Sequence, residues 1–533
     1  MMLALSGFES ALVGLVLGAV GCVVGGLRWL RVAQREHYIA GSVHRFALRW
    51  WLPSTNVVNS VVYILAFLAS EATVRSDLSR SIKLLLIAFS VACALAFPLG
   101  LRLRGRTSKL ALTARLKRLG LMANALAVLV MALAAAIHLP YLFDGIVPLL
   151  YPFFVDGALW LLAPIEARDL TRFVVRAEEK LRRIDPKVVA VTGSFGKTTT
   201  KNFIFSLLSE SMRCTVTPAS FNNRGGLARS VNETLDESTE IFIAEMGTFA
   251  RGEIADLCSW IHPDIAVICA LGPVHLERFG SEDEILRAKL EITTDPEVVI
   301  VCIDYPKLAL AANELEASGK RVWRVSEFDF GAKVSVRTND EGEFVVYHEQ
   351  RRIGSLPQAD APAGNIGCAV AVALELGIDA DVIAKGLQRL TASPNRLTST
   401  IVSSSGVEVL DDTYNSNPAG ARRALAALDR RRQGGKRATV VTPGMVELGD
   451  RQYLENLRLG RSIAEVATTA IVVGTTNRRA LDEGLAERTA EGGALVTQVV
   501  HVRTREQAVA WVRAHLGDLD TVLYENDLPD HFP

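Results

Sequence analysis

Five apolar stretches precede residue 166 of this 533-residue chain, and they limit its possible folds more than any other feature. A helix that crosses a bilayer needs about 20 mostly apolar residues, and these stretches lack the polar face of a helix in a soluble bundle. They run over residues 11–27, 57–69, 82–101, 119–137 and 146–164. The sequence therefore predicts an α-helical transmembrane domain of about five spans over residues 1–165.

The charges between these stretches predict how the domain is oriented. Residues 28–49 and 102–118 are rich in Arg and Lys, whereas residues 138–145 contain neither. Basic loops stay on the cytoplasmic side of a membrane. We therefore predict a multi-pass protein of the cell membrane, with its N-terminus outside and its catalytic domains in the cytoplasm. No basic segment precedes the first stretch, so a cleaved secretory signal is not expected.

Composition argues against several classes of function. Lys plus Arg and Asp plus Glu both number 58, so the charge gives no reason to expect nucleic acid as a partner. The seven cysteines form no Cys-x-x-Cys pair, which favours buried, reduced thiols over a disulfide framework or a zinc site. The part of the chain after the apolar stretches is thus expected in a reducing compartment.

The pattern changes after residue 166. Residues 166–187 alternate charges at helical spacing and predict a linker helix. Short apolar strands separated by helical segments follow, at residues 188–192, 241–244, 265–270 and 298–303, and then at 407–410, 439–442, 470–473, 496–502 and 521–524. This alternation predicts parallel sheets covered by helices. We predict an α/β central domain over residues 188–392 and an α/β, Rossmann-like C-terminal domain over residues 393–533.

A glycine-rich segment directly follows the first of these strands. It consists of Gly193, Ser194, Phe195, Gly196, Lys197, Thr198 and Thr199, and a helical segment comes next. Backbone N–H groups in such a loop bind phosphate oxygens, its lysine faces the β- and γ-phosphates, and the next hydroxyl is placed to bind Mg²⁺. The usual spacing would require Gly at position 191, where this chain has Val, so the loop is a shortened variant. We predict that residues 193–199 bind ATP.

Six further segments resemble the motifs of one enzyme family in their order along the chain. They are Phe221-Asn222-Asn223, Glu245-Met246-Gly247, His275-Leu276-Glu277-Arg278-Phe279-Gly280-Ser281, Ala288-Lys289-Leu290-Glu291-Ile292, Asp411-Asp412-Thr413-Tyr414-Asn415-Ser416-Asn417-Pro418 and Met445-Val446-Glu447-Leu448-Gly449. With the shortened phosphate loop, they resemble the Mur ligases, and within that family the MurF branch of UDP-N-acetylmuramoyl-tripeptide–D-alanyl-D-alanine ligases.

The resemblance implies an ATP-dependent ligase that forms amide bonds through an acyl phosphate. It also implies that Lys197, His275 and Lys289 are catalytic. Two Mg²⁺ ions would be bound by Thr198, Glu245, His275 and a carbamylated Lys289. Further residues implied to contact ATP are Asn223, Asn365, Arg396 and Asp412, and those implied to contact the substrate are Asn415 and Asn417.

The chain departs from the MurF pattern in its first third, where the predicted spans stand in place of the domain that holds the uridine nucleotide. We expect a ligase of peptidoglycan precursor synthesis that joins an amino acid or dipeptide to a small-molecule or lipid-linked cell-envelope precursor. Two alternatives remain open: a membrane-linked amino-acid ligase for another envelope or capsule polymer, and a membrane protein gated by ATP binding. The latter leaves Lys289 and the motif at residues 411–418 unexplained.

Overall fold

The structure is a computed structural model that describes residues 7–51, 57–73, 78–96, 101, 110–137, 139–219, 221–274, 276–357, 362–390, 398–402, 405–413, 417–432 and 436–527. The chain divides into two compact units, with the division between Arg168 and Asp169. We refer to residues before this point as the N-terminal unit and to residues 169–527 as the C-terminal unit.

The N-terminal unit is helical. Its helices are α1 (Gly7–Arg35), α2 (Ser42–Phe46), α3 (Val57–Ala72), α4 (Arg80–Ala96), α5 (Ala114–Ala136), α6 (Pro140–Ile146) and the first part of α7 (Tyr151–Ile184), which ends in the C-terminal unit, with a π-helical turn at Ala47–Trp51. By length and apolar composition, two segments of the described helices could cross a membrane, Ala11–Arg35 and Ala114–Ala136. The structure therefore supports two candidate spans and does not confirm the prediction of five.

Two details of the predicted spans need correction. The fifth stretch is not one continuous helix, because turns at residues 147–150 separate α6 from α7. The predicted linker is not a separate helix either: α7 continues through Pro164 and ends at Ile184. Pro164 lies in the interior of α7, where its apolar first part meets its charged second part. Proline in a helix interior often breaks the helix, but α7 continues for about five further turns beyond it.

Helix α5 shows how the N-terminal unit packs. Ala123 and Ala127 are fully buried, whereas Leu121 and Leu133 are 75% and 59% exposed. Small side chains allow helix backbones to approach each other closely. The core of this unit therefore combines small residues with larger ones such as Leu116 and Met131, while several other large apolar side chains point outwards.

The C-terminal unit contains a nine-stranded sheet in the order β2-β3-β1-β4-β5-β6-β7-β8-β9. Its strands are β1 (Lys187–Thr192), β2 (Cys214–Val216), β3 (Ile241–Glu245), β4 (Ile265–Ile268), β5 (Val298–Cys302), β6 (Arg321–Ser326), β7 (Val334–Thr338), β8 (Glu343–His348) and β9 (Arg351–Pro357). The strands from β2 to β7 pair in parallel, and β7, β8 and β9 are antiparallel. The four strands predicted for this region are confirmed as β1, β3, β4 and β5.

Helices cover both faces of this sheet. They are α8 (Lys197–Leu208), α9 (Arg224–Thr234), α10 (Glu253–Ile261), α11 (Leu276–Phe279), α12 (Glu282–Leu290), α13 (Pro306–Ala317), α14 (Ala363–Glu375) and α15 (Ala380–Leu387). Two apolar clusters flank the sheet, one around α8 and α14 and the other around α9 and α10. Because β1 lies between β3 and β4 in the parallel part of the sheet, residues that follow these three strands meet at one edge.

A second, six-stranded sheet has the order β10-β11-β15-β12-β13-β14. Its strands are β10 (Thr398–Ile401), β11 (Glu408–Asp412), β12 (Ala438–Thr442), β13 (Thr469–Val473), β14 (Gln498–Val502) and β15 (Thr521–Glu525), and its helices are α16 (Pro418–Arg431), α17 (Gln452–Val466), α18 (Arg478–Glu491) and α19 (Arg505–His515). Only the edge strand β10, which was not predicted, is antiparallel. The predicted domain boundary at residues 392–393 lies outside the described residues.

Candidate nucleotide and metal site

The predicted phosphate loop connects β1 to α8. Gly196 has a φ of +80°, a conformation that favours glycine, and an added Cβ would lie 2.7 Å from the side-chain amide of Asn365. The Lys197 ammonium donates to the Gly193 carbonyl oxygen at 2.9 Å, and the Ser194 hydroxyl donates to the carbonyl oxygen of Gly272 at 3.0 Å. The loop is thus a closed turn at the N-terminus of a helix, which suits an anionic ligand.

A carboxylate lies beneath this loop, at the end of β3. Glu245 is 1% exposed, and its Oε2 accepts a hydrogen bond from the Thr198 hydroxyl at 2.9 Å. The same oxygen lies 3.1 Å from the ammonium of Lys201, while Oε1 accepts from the Asn222 side chain at 3.0 Å. The structure therefore brings Thr198 and Glu245, both predicted metal ligands, into direct contact.

Lys201 is not among the predicted site residues. It is 1% exposed and lies on α8, one turn after Lys197. Burial lowers the pKa of Lys201 below its ordinary value, and the neighbouring Glu245 carboxylate opposes that shift. The signal in the sequence was a lysine on the apolar face of a helix, three residues before the buried Ile204.

Thr198 and Glu245 provide the oxygen donors that Mg²⁺ prefers. In nucleotide sites this ion is usually held by one or two protein ligands together with phosphate oxygens and water. Within the described ranges, no group of three or more His, Cys, Asp or Glu side chains could hold an ion. The hydroxyl and carboxylate pair therefore fits Mg²⁺ that is shared with a bound nucleotide.

Lys289 is the second buried lysine in this region whose pKa is lowered. It lies on α12 and is 3% exposed. Burial, and then the nearby positive charge of Lys197, lower the pKa of Lys289 to about 7. A substantial fraction of its amine is therefore neutral at neutral pH, and the neutral form is the nucleophilic one.

Asn365 contacts the phosphate loop from the N-terminal end of α14. It is 1% exposed, and its Nδ2 finds no hydrogen-bond partner within the described residues. A buried amide donor without a partner is uncommon in a folded protein. Its position beside Gly196 is consistent with the predicted contact to ATP, a role that stays a prediction.

Two other predicted contacts are helix caps in this structure. The Asn223 side-chain oxygen accepts from the backbone N–H of Gly226 at 2.9 Å and caps α9. The Asn417 oxygen accepts from the N–H of Gly420 at 3.0 Å and caps α16. Capping accounts for both asparagines without a ligand, so their contacts to ATP and substrate stay predictions. Asp412 lies at the end of β11.

A cavity of about 450 Å³ lies between the phosphate loop and α16. Phe195 and Tyr305 line it on one side, and Asn417 and Arg422 line it on the other. The Arg423 guanidinium carbon also lies 5.9 Å from the centre of the Phe195 ring. The volume of the cavity is within the range of small-molecule sites, so the residues around the phosphate loop could enclose part of a nucleotide.

The two sheets of the C-terminal unit meet through two of the predicted motifs. The backbone N–H of Glu277 donates to the carbonyl oxygen of Glu447 at 3.4 Å. The Arg278 guanidinium lies 4.0 Å from the Glu447 carboxylate, and Gly449 packs against Glu277. These contacts hold the first residues after β12 against α11, beside the cavity. Three predicted site residues, His275, Arg396 and Asn415, lie outside the described residues, so their roles stay predictions.

Comparisons with known families cover most of the C-terminal unit. Residues 191–360 match the family described as Mur ligase middle domain. Residues 396–524 match the family described as Mur ligase, glutamate ligase domain. The two matched regions contain the phosphate loop and Glu245 in the first sheet and Asp412 in the second.

Individual relatives agree with these matches. The chain is 31% identical over 357 residues to the UDP-N-acetylmuramoyl-tripeptide–D-alanyl-D-alanine ligase of Mycobacterium tuberculosis. The matched region covers 63% of this chain and 69% of that protein. It is 32% identical over 299 residues to the Bacillus subtilis protein of the same name, covering 55% of this chain and 64% of that protein.

Solved structures give the same result. MurF from Acinetobacter baumannii superimposes with a TM-score of 0.57 at 27% identity, covering 67% of this chain and 77% of its own. MurF ligase from Thermotoga maritima, solved in complex with ADP, superimposes with a TM-score of 0.56 at 26% identity, covering 67% of this chain and 80% of its own.

Proposed function

The chain belongs to the Mur ligase family, whose members are ATP-dependent ligases that form amide bonds, and we propose that it performs the MurF reaction of peptidoglycan precursor synthesis. In that reaction the dipeptide D-alanyl-D-alanine is joined to a UDP-N-acetylmuramoyl-tripeptide. The observation that carries the proposal is the contact between Thr198 and Glu245, because it creates an oxygen-donor site at the phosphate end of the nucleotide loop.

The chemical difficulty is the approach of two anions. The tripeptide carboxylate must attack the γ-phosphorus of ATP, which forms an acyl phosphate and releases ADP. The dipeptide amine then attacks the acyl carbon, loses a proton, and displaces inorganic phosphate as the amide forms. Bringing the carboxylate close to a charged phosphoryl group is unfavourable unless positive charge is already in place.

The residues of the phosphate loop supply part of that charge. Backbone N–H groups at the start of α8 bind phosphate oxygens, and Lys197 places its ammonium at the γ-phosphoryl group. Thr198 and Glu245 would hold Mg²⁺, which neutralises phosphate charge when bound. Closure of the cavity between the two sheets would exclude water and strengthen each of these interactions.

We further propose that Lys289 is carbamylated and that a second Mg²⁺ is held by this group with His275. The low pKa of Lys289, about 7, supports the first step, because a neutral amine can add to CO₂ with loss of one proton. The product is an anionic oxygen donor, whereas an ammonium cannot bind a cation. In this proposal Asn223, Asn365, Arg396 and Asp412 contact ATP, and Asn415 and Asn417 contact the substrate.

We also propose that the N-terminal unit is embedded in the membrane and crosses it five times, with the catalytic domains in the cytoplasm. Exposed apolar side chains support this, such as Ile64 at 55% on α3, Leu85 at 62% on α4 and Leu133 at 59% on α5. Reporter fusions after residues 40, 108 and 169 should be active in the cytoplasm. Fusions after residues 75 and 139 should be active outside, and a cytoplasmic signal from either would contradict five spans.

The proposed reaction is tested with the full chain purified in detergent. ATP, Mg²⁺, D-alanyl-D-alanine and UDP-N-acetylmuramoyl-tripeptide are incubated with it, and the product is identified by mass spectrometry. We expect an adduct whose mass equals both substrates minus one water. Parallel reactions replace the dipeptide by glutamate or the nucleotide precursor by its lipid-linked form. A product from glutamate alone would favour the alternative of another polymer, and ATP hydrolysis without any amide would favour ATP gating.

A further inference from the structure

Lys201 makes an unusually complete set of contacts for a buried lysine. Its ammonium donates to the carbonyl oxygens of Thr217 at 2.8 Å and Ala219 at 2.7 Å. It also lies 3.1 Å from Oε2 of Glu245. An ammonium has three N–H groups to donate, and all three have acceptors here. Side-chain exposure of both Lys201 and Glu245 is 1%, so both groups are shielded from bulk solvent.

These contacts join three segments that meet beneath the phosphate loop. The Thr217 hydroxyl accepts a hydrogen bond from the backbone N–H of Glu245 at 3.2 Å. Two residues after Glu245, the Gly247 N–H donates to the Asn222 carbonyl oxygen at 2.7 Å. Residues 217–219 and 221–222 therefore lie over the end of β3, and Lys201 anchors both residues 217–219 and the Glu245 carboxylate to α8.

Lys201 and Thr198 share one oxygen of Glu245. Both donors lie on α8, three residues apart, so they are neighbours on one face of the helix. The Thr198 hydroxyl donates a hydrogen bond to that oxygen, which leaves the lone pairs of the hydroxyl oxygen available to a cation on the phosphate side. The direction of those lone pairs therefore depends on where the carboxylate is held.

We propose that Lys201 is a positioning residue of the nucleotide–metal site, which fixes Glu245 and thereby orients Thr198 towards Mg²⁺. Lys201 contacts neither the nucleotide nor the ion in this arrangement, and it acts through Glu245. The inference rests on the proposed function in one respect, that the nucleotide is bound together with Mg²⁺. A purely structural ion pair would stabilise the fold and leave the Mg²⁺ dependence of nucleotide binding unchanged.

The test compares Lys201→Met with Lys320→Met in the full chain. Lys320 is the matched control, because its ammonium also donates to backbone carbonyls, those of Thr294 and Pro296 at 2.9 Å each. The acceptors of this ammonium lie in residues 294–296, which belong to neither the phosphate loop nor β3. ADP binding is measured by calorimetry over a series of Mg²⁺ concentrations and again without Mg²⁺, together with the thermal unfolding midpoint of each protein.

We expect Lys201→Met to raise the Mg²⁺ concentration needed for half-maximal ADP binding at least tenfold, with little change in binding without Mg²⁺. Lys320→Met should match the unaltered protein in both measurements. If Lys201→Met shows an unaltered Mg²⁺ dependence, or loses affinity equally with and without Mg²⁺, the positioning role is wrong.

Lys201→Arg covers the case in which Lys201→Met does not fold. Arginine keeps the positive charge but presents a planar group with different reach, so we expect a folded protein whose Mg²⁺ requirement rises severalfold. An unchanged Mg²⁺ requirement in a folded Lys201→Arg protein would overturn the inference. Failure of the proposed function has a different signature, since ADP binding by the unaltered protein would then not depend on Mg²⁺ at all.

Discussion

Strand β1 in the C-terminal unit and helix α5 in the N-terminal unit differ in how far they expose large apolar side chains. Residues 188–191 of β1 are at most 4% exposed. On α5 the buried positions include alanines such as Ala123 and Ala127 beside Leu116 and Met131, while Leu121 is 75% exposed. Burial of apolar surface from water drives the packing of the first. Close packing of small residues, with large ones facing outwards, is typical of helices surrounded by lipid.

In the proposed assignment, catalysis and membrane anchoring belong to different units, and Lys197→Ala should show this with the largest effect. A contact to charge that develops in the transition state is typically worth about 3–4 kcal/mol. We expect phosphate release in the presence of both substrates to fall at least about 100-fold. The fraction of protein extracted only by detergent should not change. Lys320→Ala is the control, and near-normal turnover by Lys197→Ala would show that the loop does not act on the γ-phosphate.

A matched pair of leucine substitutions tests the surroundings of the two units directly. Leu129 on α5 is 53% exposed and Leu310 on α13 is 63% exposed. Arginine at the centre of a membrane helix costs about 2.5–3.5 kcal/mol in insertion, whereas most substitutions on an aqueous surface change stability by about 0.5 kcal/mol or less.

Leu129→Arg should therefore reduce the yield of membrane-inserted protein strongly, and Leu310→Arg should not. Yield is measured by immunoblotting of the washed membrane fraction. Similar small effects for both substitutions would mean that α5 faces water, and the proposed contrast between the units would be lost.

Lys289 offers a test through the pH dependence of stability. Its pKa is about 7 in the folded protein and about 10.4 in an unfolded chain. Between these values the unfolded state binds more protons, so the free energy of unfolding should rise with pH by up to about 1.4 kcal/mol per pH unit.

Lys289→Met should lose this rise between pH 7.5 and 9.5. Denaturant unfolding of both proteins in CO₂-free buffer measures it, and Lys385→Met, at an exposed position on α15, is the control. Parallel curves for Lys289→Met and the unaltered protein would contradict the buried, neutral amine.

The smallest expected effect concerns Asn223, where capping and nucleotide binding can be separated. Loss of a helix cap typically costs about 1 kcal/mol, so Asn223→Ala should lower the unfolding midpoint modestly. Asn223→Ser, which can still cap α9, should restore stability. If Asn223 also contacts ATP, as predicted, KM for ATP will rise in both variants. An unchanged KM in both would limit this residue to capping.

Local sequence patterns predicted the parts of the fold that depend on local chemistry. The apolar runs that became β1, β3, β4 and β5 were recognisable because a buried parallel strand is apolar on both faces. The glycine-rich loop was recognisable because its strand and helix flank it directly. The contact of Thr198 with Glu245 agrees with the rule that parallel strands end at one edge of the sheet, but the sequence suggested both as metal ligands only through the family resemblance.

Other features depend on partners that are distant in sequence. Lys201 could not be placed because its role requires Glu245, which comes 44 residues later in the chain. The short helix α6 lies largely in residues 138–145, which were placed between two predicted spans without a helix. It packs against α1 and α3, and a helix this short is not stable by its own length. Asn223 and Asn417 carry family motifs, yet the same side chains cap helices, and sequence alone does not separate these roles.

The central claim, that this chain activates a carboxylate by phosphorylation before forming an amide, is tested most directly by isotope transfer. The tripeptide carboxylate of the acceptor is labelled with ¹⁸O, and the inorganic phosphate released with the amide product is analysed by mass spectrometry. Phosphorylation of the carboxylate predicts that each phosphate carries one ¹⁸O atom from the carboxylate. Unlabelled phosphate would mean that water attacks ATP and would contradict the ligase mechanism.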